Sequence, residues 1–105
     1  MMPTLLTLDT ARRSDGEPML VAAGEIDLSN VDAFVQALTA ASGEAAPGAP
    51  LTVDLSGVEY LDSAAINALF THANRIHLIA HPILIPILTI SGLTELVAVE
   101  PAPEQ

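Results

Sequence analysis

From Met19 onward, short apolar runs alternate one for one with segments whose apolar residues recur at three- and four-residue steps. This alternation constrains the fold more than any other feature. A strand, one helix and a second strand close as a right-handed crossover between parallel strands. The extended runs are residues 19–23, 51–55, 76–80 and 96–99. Between the first two, Val31, Phe34, Val35, Leu38 and Ala41 lay one stripe along a helix, with Ser29 or Asn30 as N-cap. Ser42-Gly43 is its predicted stop, with Gly taking the left-handed conformation. Ile66, Leu69 and Phe70 mark a second helix, capped by Asp62 or Ser63. Ile83, Leu84, Ile87 and Leu88 mark a third, bounded by His81-Pro82 and Ser91-Gly92. Residues 4–8 form an earlier β-prone run, and Asp15-Gly16 between it and Met19 signals a hairpin. The predicted order is β-β-α-β-α-β-α-β, an α/β domain with a mostly parallel sheet. Its strands read as near-continuous apolar runs, as strands under helices do, although helices on a single face would also serve.

Several breaks are expected. Gly24 should close the second strand, and Ser56-Gly57 the third. Pro86 removes a hydrogen bond inside the third helix and should kink it, unless the helix starts at Ile85-Pro86 and leaves Ile83-Leu84 extended. Residues 100–105 hold two prolines and little apolar material, so they are expected to fray and leave a single domain over residues 1–99. A chain of 105 residues supports one domain, with a radius of gyration near about 13 Å.

Charge then excludes whole classes of partner. Thirteen acids face three basic residues, Arg12, Arg13 and Arg75, and the net charge is −10. Nothing here neutralises a run of phosphates or anchors the chain to anionic lipid, so nucleic acid is not an expected partner. From Ile76 to Thr94 there is no acid, Lys or Arg, but His77, His81, Pro82, Pro86, Ser91 and Gly92 interrupt the stretch. Two short buried elements explain it better than a spanning helix, so no membrane insertion is expected. The start, Met1-Met2-Pro3-Thr4, lacks the features of a signal peptide, and the expected location is cytoplasmic. Half the residues are apolar, which excludes disorder, while only 15% are charged. With so few charges some surface must be apolar or small, and Ala64-Ala65-Ile66 at the second helix start is the candidate docking patch.

Chemistry for catalysis is sparse. There is no Cys, no Gly-rich phosphate loop with Lys, no G-x-G-x-x-G, no H-E-x-x-H and no G-x-S-x-G. On one strand His77 and His81 would stand about 13 Å apart, too far to share an ion. With His72 they read as ordinary strand or surface histidines. Glu25/Asp27 and Glu59/Asp62 are acid pairs without an inferable cleft, and an acid at a helix start is normally a cap. No catalytic residue, cofactor or metal ligand is assigned.

The informative segment runs from Val53-Asp54-Leu55-Ser56-Gly57-Val58 through Glu59-Tyr60-Leu61 to Asp62-Ser63-Ala64-Ala65-Ile66. It leads from a buried strand into a helix whose first turn carries Asp62-Ser63. Ser63 is most simply an N-cap, but a phosphate there would sit at a helix N-terminus that favours anions. Its cost would fall on a partner packed over that end.

This segment resembles the signature of the STAS domain, in particular that of bacterial anti-sigma factor antagonists: V-D-L-S-G-V, a few residues, then D-S-S-G opening a helix. Ala64-Ala65 stand where that pattern has S-G. Gly24-Glu25-Ile26-Asp27 is similar to the family's G-E-[IL]-D, His81-Pro82 to its third-helix start, and Ser91-Gly92-Leu93 to its S-G-L. The resemblance covers about residues 4–99. It implies a sheet mixed at its N-terminal edge, with helices mainly on one face. The implied partner is an anti-sigma factor that is also a serine kinase of the histidine-kinase-like ATPase type. The implied phosphoacceptor is Ser63, with Asp62 and the acidic-loop Asp27 at the contact surface. Such a protein, a monomer or weak dimer, regulates sigma-factor-dependent transcription without touching DNA. An alternative is an unphosphorylated STAS scaffold, stressosome-like or transporter-associated.

Overall fold

The predicted hairpin opens the fold. β1 (Leu6–Arg12) and β2 (Pro18–Ile26) pair antiparallel, from Leu6 opposite Gly24 to Arg12 opposite Pro18. The turn closes through Arg13 N–H to the Glu17 carbonyl (2.8 Å) and Gly16 N–H to the Arg13 carbonyl (2.9 Å). The computed structural model describes residues 5–103, with a radius of gyration of 12.8 Å. Thr4, expected in β1, lies outside the described residues.

β3 (Leu51–Leu61), β4 (Ile76–Ala80) and β5 (Val99–Pro101) add to β2 in parallel, giving the strand order β1-β2-β3-β4-β5. Each crossover returns to the next strand in the same direction, so right-handed connections stack α1 (Val31–Ser42), α2 (Ser63–Thr71) and α3 (Ile85–Ile90) on one face. The burial pattern agrees. Leu20, Ala22, Val53, Leu55, Leu78 and Ala80 are buried, while Met19, Val21, Asp54, His77 and Ile79 between them are not. Helices therefore cover a single face. Phe34 and Leu38 of α1, with Ala65 and Leu69 of α2, fill the core against the strands. Burying a side chain the size of Phe34 contributes about 2–3 kcal/mol. On the open face Thr52 is the one buried polar side chain among the described residues, and its hydroxyl accepts from Arg13 Nη1 (2.9 Å).

Neither glycine expected to end a strand does so. β2 continues through Gly24 to Ile26, and β3 continues through Gly57 to Leu61. The β2–β3 register shifts between Val21 and Ala23 and again between Gly24 and Glu25. These bulges absorb extra residues and return Val58 and Leu61 to the core face. Gly24 has φ +110° and its backbone lies against the Leu5 carbonyl. Gly57 sits opposite Ala23, where a Cβ would come within 2.9 Å of the Ala23 Cβ. Close approach of two backbones, and not strand termination, explains both residues.

Helix ends show smaller departures. Gly43 ends α1 at φ −68°, in the right-handed region and not the left-handed one. Pro82–Leu84 is a 3-10 turn, neither the start of a kinked α3 nor the extended segment that a helix beginning at Ile85-Pro86 would leave, and α3 follows it. Pro86 thus stands in the first turn of α3, where a missing N–H costs nothing. Near the C-terminus, Leu93–Glu95 is a 3-10 turn and the last strand begins only at Val99. The expected frayed tail is corrected in part: Glu100 and Pro101 are in β5, and Ala102 N–H bonds the Ala80 carbonyl (2.8 Å). The free edge of β4 needs partners for its amides, and this segment supplies them. Glu104 and Gln105 lie outside the described residues.

Candidate functional site

Parallel strands bring their C-terminal ends to one edge of a sheet, so the segments following β2 and β3 meet there. The Asp62 amide donates to the Ile26 carbonyl (3.2 Å), tying the two strand ends together. The segment after β2 is a self-bonded turn. Asp27 Oδ1 accepts from the Ser29 amide (2.9 Å) and the Ser29 hydroxyl. Asn30 Oδ1 accepts from the Asp27 amide (2.9 Å), and Asn30 Nδ2 donates to the Glu25 carbonyl (2.9 Å). Asn30 is the N-cap residue of α1, but its side chain caps nothing; it locks the loop. Asn and Asp form such local bonds readily, which is why this tetrapeptide is a turn and not helix.

Asp62 joins this turn to α2. One carboxylate oxygen, Oδ1, accepts from the Ala65 amide (3.0 Å) and caps the helix; the other, Oδ2, accepts from the Leu28 amide (2.9 Å). The sequence left the cap open between Asp62 and Ser63, and Asp62 is the cap. Ser63 becomes the first residue of α2 and is exposed. Its hydroxyl makes no hydrogen bond among the described residues.

The expected patch divides. Asp27, Asp62 and Ser63 do share one surface, and Ala64 is half-buried beside them. Ala65 (0% exposed) and Ile66 (8%) do not reach that surface; they are core residues. Helical geometry decides this, because the side of α2 that carries Ala65, Ile66 and Leu69 is the side that packs on the sheet. The Ala65 methyl in the Gly position of the S-G pair is accordingly taken up by the core.

Sequence reading missed Leu28. It is 78% exposed at the centre of the acidic turn, with its amide held by Asp62. An apolar side chain held out on a rigid turn is a ready anchor for a protein surface. Its signal was a Leu inside the polar turn sequence Asp27-Leu28-Ser29-Asn30.

Among the described residues no arginine stands at this edge. Arg12 and Arg13 precede β2 and Arg75 precedes β4, which puts all three toward the opposite end of the parallel strands. Arg12 lies 3.8 Å from Glu44 there, and Arg13 lies 3.9 Å from Asp15. The three histidines are dispersed: His72 Nδ1 is 3.0 Å from the Ala68 carbonyl, His77 is exposed on the open face, and His81 Nδ1 accepts from the Ile83 amide (3.0 Å). A cavity of about 580 Å³ lies between the C-terminus of α1, the Pro47–Pro50 loop and Arg75, away from Ser63. Among the described residues no helix is long and apolar enough to cross a membrane.

Comparison with known proteins fits this architecture. A family profile described as "Mlab, STAS domain" matches residues 10–98. A Mycobacterium tuberculosis protein, provisionally named an anti-anti-sigma factor, is 34% identical over 90% of this chain and 70% of its own length. The crystal structure of an anti-sigma factor antagonist from Mycobacterium paratuberculosis superposes with a TM-score of 0.80 at 24% identity, covering 91% of this chain and 86% of that one. The anti-sigma factor antagonist SpoIIAA in its unphosphorylated form superposes with a TM-score of 0.69 at 14% identity, covering 93% and 90%. At these identities the two structures establish the shared fold.

Proposed function

This chain belongs to the STAS domain family, and from that membership we propose that it is an anti-sigma factor antagonist switched off by phosphorylation of Ser63. It acts by binding and not by catalysis: capturing an anti-sigma factor frees a sigma factor, and transcription changes without contact between this chain and DNA. The net charge of −10 suits such an indirect role.

The observation that carries the reading is the division of labour at the start of α2. Asp62 supplies the cap, so the exposed Ser63 hydroxyl is not needed by the fold. A kinase can approach it without unfolding the helix. The partner is proposed to be a serine kinase of the histidine-kinase-like ATPase type, gripping Leu28, Asp27 and Asp62 around the acceptor. A phosphate on Ser63 adds about −1.5 to −2 charge beside Asp27 and Asp62, with no Arg or Lys of this chain at that edge. Desolvating that charge under a partner is costly, so the complex should dissociate while the domain stays folded.

A second reading is an unphosphorylated STAS scaffold or transporter-associated subunit. Ala64 in place of the second Ser of the D-S-S-G pattern favours it. Affinity capture with wild type, Ser63→Glu and Leu28→Ser, followed by kinase assay of the captured protein with Mg-ATP, separates the readings. The switch predicts an anti-sigma kinase bound to wild type, lost with both variants, and phosphate on Ser63. An anti-sigma factor that binds Ser63→Glu unchanged and leaves Ser63 unmodified would sink the switch. Capture of a membrane transporter or a multi-subunit assembly instead would favour the second reading.

A further inference from the structure

The acid-free stretch noticed in the sequence is not absorbed by the Ser63 site. Between Asp62 and Glu95 the chain carries no Asp or Glu, and its one charge there is Arg75. Folding places an apolar stripe on the outside of this sector. Ile87 (42% exposed) and Ile90 (83%) stand three residues apart on α3, and Ile83 (60%) is exposed in the 3-10 turn before it, with Pro82 and Pro86 also exposed. Leu96 (59%) stands just beyond the 3-10 turn that packs on α3. The polar side chains of this segment are satisfied within it: Thr89 Oγ1 donates to the Ile85 carbonyl (2.8 Å) and Ser91 Oγ to the Leu88 carbonyl (3.0 Å).

We infer that the α3 stripe is a two-fold self-association surface, at which a second copy of this chain docks α3 against α3. Two considerations select that occupant. The first is charge. Two bodies of −10 repel wherever carboxylates meet; residues 63–94 carry none, and the exposed Glu95 stands next to Leu96 at the end of the stripe, so a contact centred on Ile87 and Ile90 keeps facing carboxylates few. A symmetric contact sets this sector against itself. A lipid surface is disfavoured, because no basic rim borders the stripe to offset the repulsion of an acidic protein. The second is area. The exposed apolar side chains offer on the order of 500 Å² per copy, against about 800 Å² per partner in a standard stable interface. The contact is therefore below standard size and weak. It leaves the Ser63 edge free and does not depend on the proposed switch.

Analytical ultracentrifugation of the full chain, from about 10 μM to about 1 mM at low and at roughly 0.5 M salt, tests this directly. The weight-average mass should rise from 10.9 kDa toward twice that value, with the midpoint shifting at least about tenfold lower in high salt as repulsion is screened. Ile87→Ser/Ile90→Ser, and Ile90→Glu alone, should remain monomeric with an unchanged far-UV circular dichroism spectrum. Ser63→Glu should associate as wild type does. A monomer at every concentration in both salts overturns the inference, and so does association that those α3 variants leave intact or that salt weakens. A chain that stays monomeric yet sediments with phosphatidylcholine vesicles would reassign the stripe to lipid.

Discussion

Asp62 holds two amides with two oxygens, and its replacement separates what each bond contributes. In Asp62→Ala the Ala65 amide loses its cap, a loss of about 1 kcal/mol. The Leu28 amide loses a charged acceptor, but it is exposed and water replaces much of that bond, so a further ~1 kcal/mol is lost. The expected total is about 2 kcal/mol, or on the order of 10 °C in Tm for a domain of this size. Asp62→Asn keeps an oxygen for the cap, since Asn caps as well as Asp, but presents N–H₂ to the Leu28 amide. It should cost about 1 kcal/mol. Urea unfolding followed by far-UV circular dichroism is the suitable assay, because the chain has no Trp and a single Tyr. Hydrogen exchange resolves the two bonds: Asp62→Ala should speed exchange at Leu28 and Ala65, and Asp62→Asn at Leu28 alone. If Asp62→Ala stays within about 0.5 kcal/mol of wild type, or Asp62→Asn costs as much as Asp62→Ala, the carboxylate does not bridge loop and helix as described.

Two glycine substitutions test the bulged strands. Gly24→Ala should lose more than about 3 kcal/mol, because it combines φ +110° with a Cβ driven into the Leu5 carbonyl; near-wild-type urea stability would contradict that geometry. Gly57→Ala meets a side-chain carbon of Ala23 and not a carbonyl, so the expected loss is smaller, about 1–2 kcal/mol, and Ala23→Gly in the same chain should recover part of it in a double-mutant cycle.

The elements themselves were legible because their signals are local. α1 begins at Val31 and ends at Ser42, as its apolar stripe and the following Gly43 predicted, since helical periodicity and stop residues act within a few positions. β4 coincides with residues 76–80 for the same reason. The glycines misled because a Gly inside a strand and a Gly ending one look alike in sequence. Only the neighbour, Ala23 for Gly57 and Leu5 for Gly24, tells them apart. The last strand was placed too early because three residues carry almost no periodicity; its position follows from the unpaired edge of β4.

The sequence by itself determined the order of strands and helices, the single domain, the acidic balance of charge, and the segment carrying Asp62-Ser63. Each depends on composition or on contacts between near neighbours along the chain. Tertiary structure decided what that segment presents. It turned Ala65 and Ile66 into the core, freed the Ser63 hydroxyl by giving the cap to Asp62, and held Leu28 outward through a bond spanning 34 residues of sequence. It also turned the uncharged stretch outward as the α3 stripe. The physical reason is common to all four. Which residues beside a helix's apolar stripe are also covered, which are left outside, and which distant amide meets a carboxylate, is set by packing between elements far apart in sequence.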